Sequence, residues 1–179
     1  DIKSLAYEEN PLMIVLSSDH ARRVEQNFLD LFELGISFAL EEKIVTFGVV
    51  PNKPETGYGY IKSINPFVLN HIKGENIEKF IEKPDLASAK KFIKDRRFTW
   101  NSGIFMFQAQ TVIDEMNKFC PDIVNLCTKS LDNSSNDLDF QRIGKEFFKK
   151  CPNVSFDVSI MEKTNKGIVL PLDAQWSDV

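Results

Sequence analysis

Two aspartates, Asp19 and Asp178, stand where apolar runs give out, a place where carboxylates suit a hard divalent cation. Asp19 follows Pro11-Leu12-Met13-Ile14-Val15-Leu16 in the order Ser17-Ser18-Asp19-His20. Asp178 closes the segment Gly167-Ile168-Val169-Leu170-Pro171-Leu172-Asp173-Ala174-Gln175-Trp176-Ser177-Asp178. In open α/β sheets ligands gather outside the carboxyl ends of strands, where loops present charge without disturbing the core. Oxygen ligands of this kind suit Mg2+, whose shell substrate phosphates commonly complete. The competing reading is a pair of loop aspartates that only end strands.

Four other segments carry residue types that packing alone does not ask for. Pro54-Glu55-Thr56-Gly57-Tyr58-Gly59-Tyr60 sets two glycines beside aromatic rings, so that backbone can pass close to a ligand while the rings supply a wall; a hairpin bend is the alternative. Glu82-Lys83-Pro84 ends a strand with an acid and a base side by side, which is otherwise a surface charge pair. Trp100-Asn101-Ser102-Gly103 offers an amide that both donates and accepts, as sugar hydroxyls require, or else forms an asparagine-led turn. Glu162 and Lys163 end a helix-like stretch and read as solvated charges.

The elements that must position these residues alternate between strand-like and helix-like runs, the pattern of an α/β domain with a mostly parallel sheet and helices on both faces. Leu12 to Leu16 is continuously apolar, as expected of a strand covered on both sides. Phe28, Phe32, Ile36 and Ala39-Leu40 fall on one side of a helix. Ile44 to Val50 is a second buried strand, Gly57 to Ile61 begins a third, and Ile77 to Glu82 is a partly exposed fourth. Leu86 to Asp95 reads as a short helix, Gly103 to Phe107 as a core strand, and Val112, Met116 and Phe119 line the helix after it. Residues 121–150 read as helices split by the polar loop Asp132 to Asp137, with Leu138, Ile143 and Phe147 facing a core. Ile168 to Leu172 returns to a strand.

With 179 residues the chain is long enough to bury a substantial core without disulfides. Its net charge of −4 and scattered basic residues leave no stripe for a polyanion, so nucleic acid is not an expected partner. Cys120, Cys127 and Cys151 form no Cys-x-x-Cys pair, and His20 and His71 are the only histidines, which points away from zinc and from a disulfide framework. An odd number of thiols suits a reducing cytoplasm. No apolar run nears the roughly 20 residues that span a bilayer, so no membrane association is expected. The chain starts at Asp1-Ile2-Lys3 and stops at Val179, directly after a loop that carries a candidate ligand. It is therefore expected to be one partial domain, 1–179, incomplete at both ends.

Taken in order, Ser-Asp-His, Thr-Phe-Gly-Val-Val-Pro-Asn-Lys-Pro-Glu-Thr-Gly-Tyr-Gly-Tyr-Ile, Phe-Ile-Glu-Lys-Pro-Asp, Trp-Asn-Ser-Gly-Ile-Phe-Met-Phe, Ile-Met-Glu-Lys-Thr and Trp-Ser-Asp-Val form a succession that resembles the mannose-1-phosphate guanylyltransferases, also called GDP-mannose pyrophosphorylases. The resemblance spans nearly the whole chain and rests on the ordered set, since Glu-Lys-Pro alone is common. It implies a Rossmann-like nucleotide-diphospho-sugar transferase fold, with GTP and mannose 1-phosphate as substrates, pyrophosphate as leaving group and Mg2+ or Mn2+ as cofactor. Carried over by position, Asp19 and Asp178 match the metal carboxylates, Lys83 the lysine on the sugar phosphate, Glu82 the acid on sugar hydroxyls, and Asn101 and Gly59 sugar-pocket contacts. Gly57 and Tyr60, in the same segment, are expected to bind substrate as well. His20 reads as a structural or nucleotide-side contact.

The match departs in one large respect: no Gly-x-Gly-x-Arg-x-x-Pro phosphate loop is present. In some relatives a cupin domain with phosphomannose isomerase activity follows, which would make the full protein bifunctional, and a homodimer is compatible with the resemblance. Two alternatives stand beside the enzyme: a non-catalytic sugar-phosphate-binding regulatory homologue, and a transferase for another hexose 1-phosphate or nucleotide.

Overall fold

The computed structural model describes residues 10–16, 26–68 and 73–172, the side chains of residues 26–28 excepted. Asp19, His20, His71 and Asp178 lie outside those residues. The chain divides into two compact units, residues 1–112 with 164–179 and residues 113–163.

In the first unit, β1 (Leu12–Val15), α1 (Gln26–Leu40) and β2 (Ile44–Val49) form a strand, helix, strand crossover. Both strands pair antiparallel with the long β5 (Phe98–Gln108), so they run in the same direction with β5 between them. On its other edge β2 pairs in parallel with β8 (Gly167–Leu172). β3 (Tyr60–Ser63) pairs antiparallel with both β4 (Glu75–Ile81) and β5, and β4 pairs antiparallel with β8. The five strands β5, β2, β8, β4 and β3 therefore close on themselves, while β1 extends the second half of β5.

The sheet is mixed rather than mostly parallel: of these six pairings among the described strands, only β2 with β8 is parallel. Antiparallel neighbours accept short connections, whereas the one parallel pair, β2 with β8, is joined through all the elements between them. β1 also departs from expectation. Paired along one edge alone among the described strands, it leaves Met13, Ile14 and Val15 each about 42% exposed despite their apolar run.

One face of the sheet carries the core. Leu31 and Ala39 of α1 pack in a cluster with Val45, Phe47, Val49, Tyr60, Trp100, Met106, Ile168, Leu170 and Leu172, and α2 (Leu86–Phe92) adds Ala89. The buried stripe of α1 runs Leu31, Gly35, Ala39, one residue per turn, and an added Cβ at Gly35 would already touch Leu170 and Met106 at 3.4 Å. Leu40 falls off that stripe and is exposed. Both α1 and α2 thus serve the same face within this unit, and the expected helix cover on the second face is replaced by the sheet's own closure. On that second face side chains converge. A Cβ at Gly48 would stand 2.1 Å from Thr99 Oγ1 and 2.7 Å from Val169 Cγ2, on the two flanking strands, which marks the face as concave.

The second unit contains the end of α3 (Ala109–Phe119), α4 (Pro121–Asp132), a small hairpin, α5 (Lys145–Phe148) and a π-helical turn Asp157–Met161. Ser135 to Asp137, expected within the polar loop, form β6 (Ser135–Asp137) and pair with β7 (Phe140–Arg142), where helix was expected. Leu138 takes φ 52° at the two-residue turn and is 96% exposed, so it is a turn residue and not core; Ile143 is exposed as well, while Phe147 is half-buried. The cross-strand Arg142 to Asp137 bond of 3.0 Å favours the hairpin there. Among the described residues no helix is long and apolar enough to cross a membrane.

The crowding at Gly48 yields a stability prediction. Gly48→Ala is expected to destabilise the full-length protein by about 1–3 kcal/mol, because neighbours on both strands must move. Gly57→Ala, with nothing within 4 Å of the added carbon, should stay within about 0.5 kcal/mol of wild type. Denaturant unfolding of the two variants checks both values.

Candidate active site

Strand register gathers three of the expected residues into one row. Tyr60 pairs with Ile81 on one side and Trp100 on the other, so one step back along β3 sets Gly59 between Glu82 and Asn101. The Asn101 N–H donates to the Gly59 carbonyl at 2.8 Å, and Asn101 is in turn opposite Gly48 of β2. The row Glu82, Gly59, Asn101, Gly48 crosses four strands on the concave face. Its two glycines are what let the polar pair lean inward. A Cβ at Gly59 would lie 2.7 Å from Glu82 Oε2 and 3.4 Å from the Asn101 Cβ.

The asparagine sits inside β5 rather than before it. Thr46 pairs with Phe105 and Gly48 with Asn101, so three β5 residues, Ser102 to Ile104, face the single Phe47. Such a bulge re-aims side chains without ending the strand. Gly103, at φ 69°, turns its N–H onto Asn101 Oδ1 at 3.1 Å, and Ser102 Oγ accepts from the Ile104 N–H at 3.2 Å. The Thr46 hydroxyl reaches the same Asn101 oxygen at 3.3 Å and the Ile104 carbonyl at 3.1 Å. Sequence reasoning passed over Thr46; the signal was a lone hydroxyl in the otherwise apolar strand Ile-Val-Thr-Phe-Gly-Val.

Lys83 follows the end of β4 with φ 45°, left-handed for a non-glycine residue and set before Pro84, which favours an extended predecessor. The kink reverses the chain into α2, whose N-cap Asp85 accepts the Ser88 N–H at 2.7 Å. A backbone of this kind costs about 1–3 kcal/mol. The Lys83 ammonium lies 3.7 Å from Glu82 Oε1 with its side chain 67% exposed, and a solvated pair of that sort returns about 0–1 kcal/mol. The ion pair does not offset the strain, so the placement of the ammonium beside the row is not explained by stability.

Two expected residues fall elsewhere. Tyr60 is fully buried on the core face, its ring tilted against Phe92 with centroids 5.4 Å apart, and its hydroxyl donates to the Glu55 carbonyl at 2.8 Å. Burial pushes its phenol up, so it stays a protonated structural donor. Its neighbours in the chain, not Tyr60 itself, face the concave side. Gly57 is exposed with open space around it. Glu162 and Lys163 are exposed. Burial also raises the Cys120 and Cys127 thiols, which makes neither a ready nucleophile.

Among the described residues no group of three or more His, Cys, Asp or Glu side chains could hold a metal ion, and the two aspartates singled out lie outside them. β1 and β8 run in the same direction, however, and Leu172 at the end of β8 extends beyond the row position of Gly48 and Pro171.

Glu82, Gly59 and Asn101 thus lie side by side in an α/β domain, with the Lys83 ammonium next to them. The family model for nucleotidyl transferases matches residues 2–179, and the chain belongs to that family. It is 41% identical over 172 residues to "Mannose-1-phosphate guanylyltransferase ManC" of Salmonella typhimurium strain LT2, covering 95% of this chain and 36% of that protein. It is also 41% identical over 170 residues to "Xanthan biosynthesis protein XanB" of Xanthomonas campestris pv. campestris, covering 95% of this chain and 35% of the other. The chain thus spans about a third of the length of these curated relatives. Among solved structures, that of "mannose-6-phosphate isomerase from Helicobacter pylori" superposes with TM-score 0.83 at 32% identity, over 99% of this chain and 68% of that one.

Gly59→Ala tests the row directly. The intruding carbon meets the end of a flexible side chain, so the thermal midpoint should stay within about 3 °C of wild type. The Glu82 carboxylate should nevertheless move off the row, and nucleotidyl transfer by the full-length protein should fall at least about tenfold. A crystal structure and turnover of the variant check the two halves.

Proposed function

We propose that this chain carries the sugar-phosphate side of a mannose-1-phosphate guanylyltransferase, which joins GTP to α-D-mannose 1-phosphate to give GDP-mannose and pyrophosphate. The observation that carries the reading is the row Glu82, Gly59, Asn101 with the strained Lys83 beside it. A sugar hydroxyl both donates and accepts, and this row offers it a carboxylate on one side and an amide on the other, with no side chain between. The name of the Salmonella relative supports mannose 1-phosphate and GTP as the substrates.

The chemistry asks little of a proton acceptor. A phosphate oxygen of the sugar phosphate is already ionised at neutral pH, attacks the α-phosphorus of GTP in line and forms the new P–O bond as the bond to pyrophosphate breaks. Rate then depends on position and on neutralising charge at the α-phosphate. Lys83 would hold the sugar phosphate with a charge-assisted bond, while Glu82 and Asn101 fix the ring. Asp19 and Asp178 are the residues that would hold a divalent cation, Mg2+ or Mn2+, which would draw negative charge off the phosphates.

A second reading adds mannose 6-phosphate isomerisation in the full-length protein, favoured by the name of the Helicobacter pylori structure. It is tested by following mannose 6-phosphate and fructose 6-phosphate with the same preparation. The principal test is pyrophosphate release by the full-length protein, with GTP set against ATP, UTP and dTTP and mannose 1-phosphate against glucose 1-phosphate. Release that does not favour GTP with mannose 1-phosphate would sink the assignment.

Lys83→Ala should raise the KM for mannose 1-phosphate and lower kcat, a combined loss of about 1.5–3 kcal/mol in kcat/KM. Lys83→Gly should be impaired as much yet unfold later, because glycine accepts the left-handed backbone. Unchanged constants in both variants would leave Lys83 a surface charge.

Asp19→Asn and Asp178→Asn should each lower kcat about a hundredfold or more with little change in unfolding, and the loss should deepen as Mg2+ is withdrawn. Turnover within threefold of wild type in both variants would reject the metal role.

A further inference from the structure

We propose that Thr46 is a positioning residue of the sugar subsite, holding the Asn101 amide in one orientation through the β5 bulge; the inference rests on the functional reading above. The Gly103 N–H can only donate, so the Asn101 atom that faces it at 3.1 Å is the carbonyl oxygen. Thr46 contributes the second donor to that oxygen at 3.3 Å and shares its proton with the Ile104 carbonyl at 3.1 Å, the far side of the same bulge. Two donors on Oδ1 set Nδ2 at the opposite end of the amide, as the donor a sugar hydroxyl meets. Turned over, the amide would press its NH2 against the Gly103 N–H.

Packing does not require a hydroxyl at this position. Thr46 is fully buried between Val45 and Phe47, which are also fully buried, in a strand where valine would fill the same volume. A buried hydroxyl is tolerated when bonded, and here both of its partners belong to the bulge that carries Asn101. Thr46 itself does not reach the row; it acts through Asn101.

The test is calorimetric binding of mannose 1-phosphate and of GTP, each separately, to full-length wild type, Thr46→Val, Thr46→Ser, Asn101→Ala and the Thr46→Val/Asn101→Ala double variant. Thr46→Val should weaken mannose 1-phosphate about tenfold, the worth of one neutral hydrogen bond, and leave GTP within about twofold. Thr46→Ser should bind within about twofold of wild type. In the Asn101→Ala background the valine should cost nothing further, because the group it positions is gone. If Thr46→Val does not fold, Thr46→Cys, with a similar shape and a weak S–H donor, should fall between valine and wild type. Wild-type affinity in Thr46→Val, a parallel loss for GTP, or an undiminished penalty in the double variant would each overturn the proposal. Wild-type protein that binds no hexose 1-phosphate would instead bring down the functional reading on which it rests.

Discussion

Strand β5 must satisfy β2 along its whole length while giving its other edge first to β3 and then to β1, and the closed sheet depends on how it does so. Its solution is two extra residues opposite Phe47. The bulge from Ser102 to Ile104 bends the strand where the partner on the outer edge changes, so that Phe98 to Trp100 align with β3 and Phe105 to Gln108 with β1. Closure then makes one face concave, and crowding on that face explains why Gly48 and Gly59 have no side chains. The candidate site is a by-product of the same geometry, since Asn101 is the last regular residue before the bulge and Gly59 is its hydrogen-bonded neighbour.

Strain and charge meet at the end of β4. Lys83 holds a left-handed backbone so that the chain can turn through Pro84 into the capped start of α2, and a glycine would do this at less cost. Its ammonium is only loosely tied to Glu82 and stays largely in solvent, which preserves its capacity to meet an anion without first breaking a strong internal bond. Other described charges are paired within the fold: Asp95 is drawn below the usual carboxylate range chiefly by its bond to Arg97, and Lys62 is bonded to Glu78. The contrast separates ion pairs that hold the fold from one that remains open to a ligand.

On the proposed reading the work of the site is placement, which is what phosphoryl transfer requires. Residues on adjacent strands are held more closely than loops would hold them, and Asn101 is fixed both through its backbone bond to Gly59 and through its side-chain oxygen. Family membership agrees with that economy of means, since in-line transfer between phosphates calls for no nucleophile activated by a base.

From the sequence alone, the existence of α1, the buried run of β2 and the unusual residue pairs in the Glu82, Lys83 and Asn101 segments were readable, because periodicity and residue pairs are local properties. The buried stripe of α1 was not, since it runs through Leu31, Gly35 and Ala39. Local pattern misled where the outcome depended on partners. The apolar run of β1 read as doubly covered but lies exposed at an edge, Leu138 read as core but tips a hairpin, and Tyr60 read as a pocket wall but alternates onto the core face. The direction of the strands, the bulge in β5 and the closure of the sheet were decided only in three dimensions. They arise from pairings between residues tens of positions apart, as Thr46 with Phe105 or Gly59 with Asn101, and such register is a property of two strands at once, which no single stretch of chain encodes.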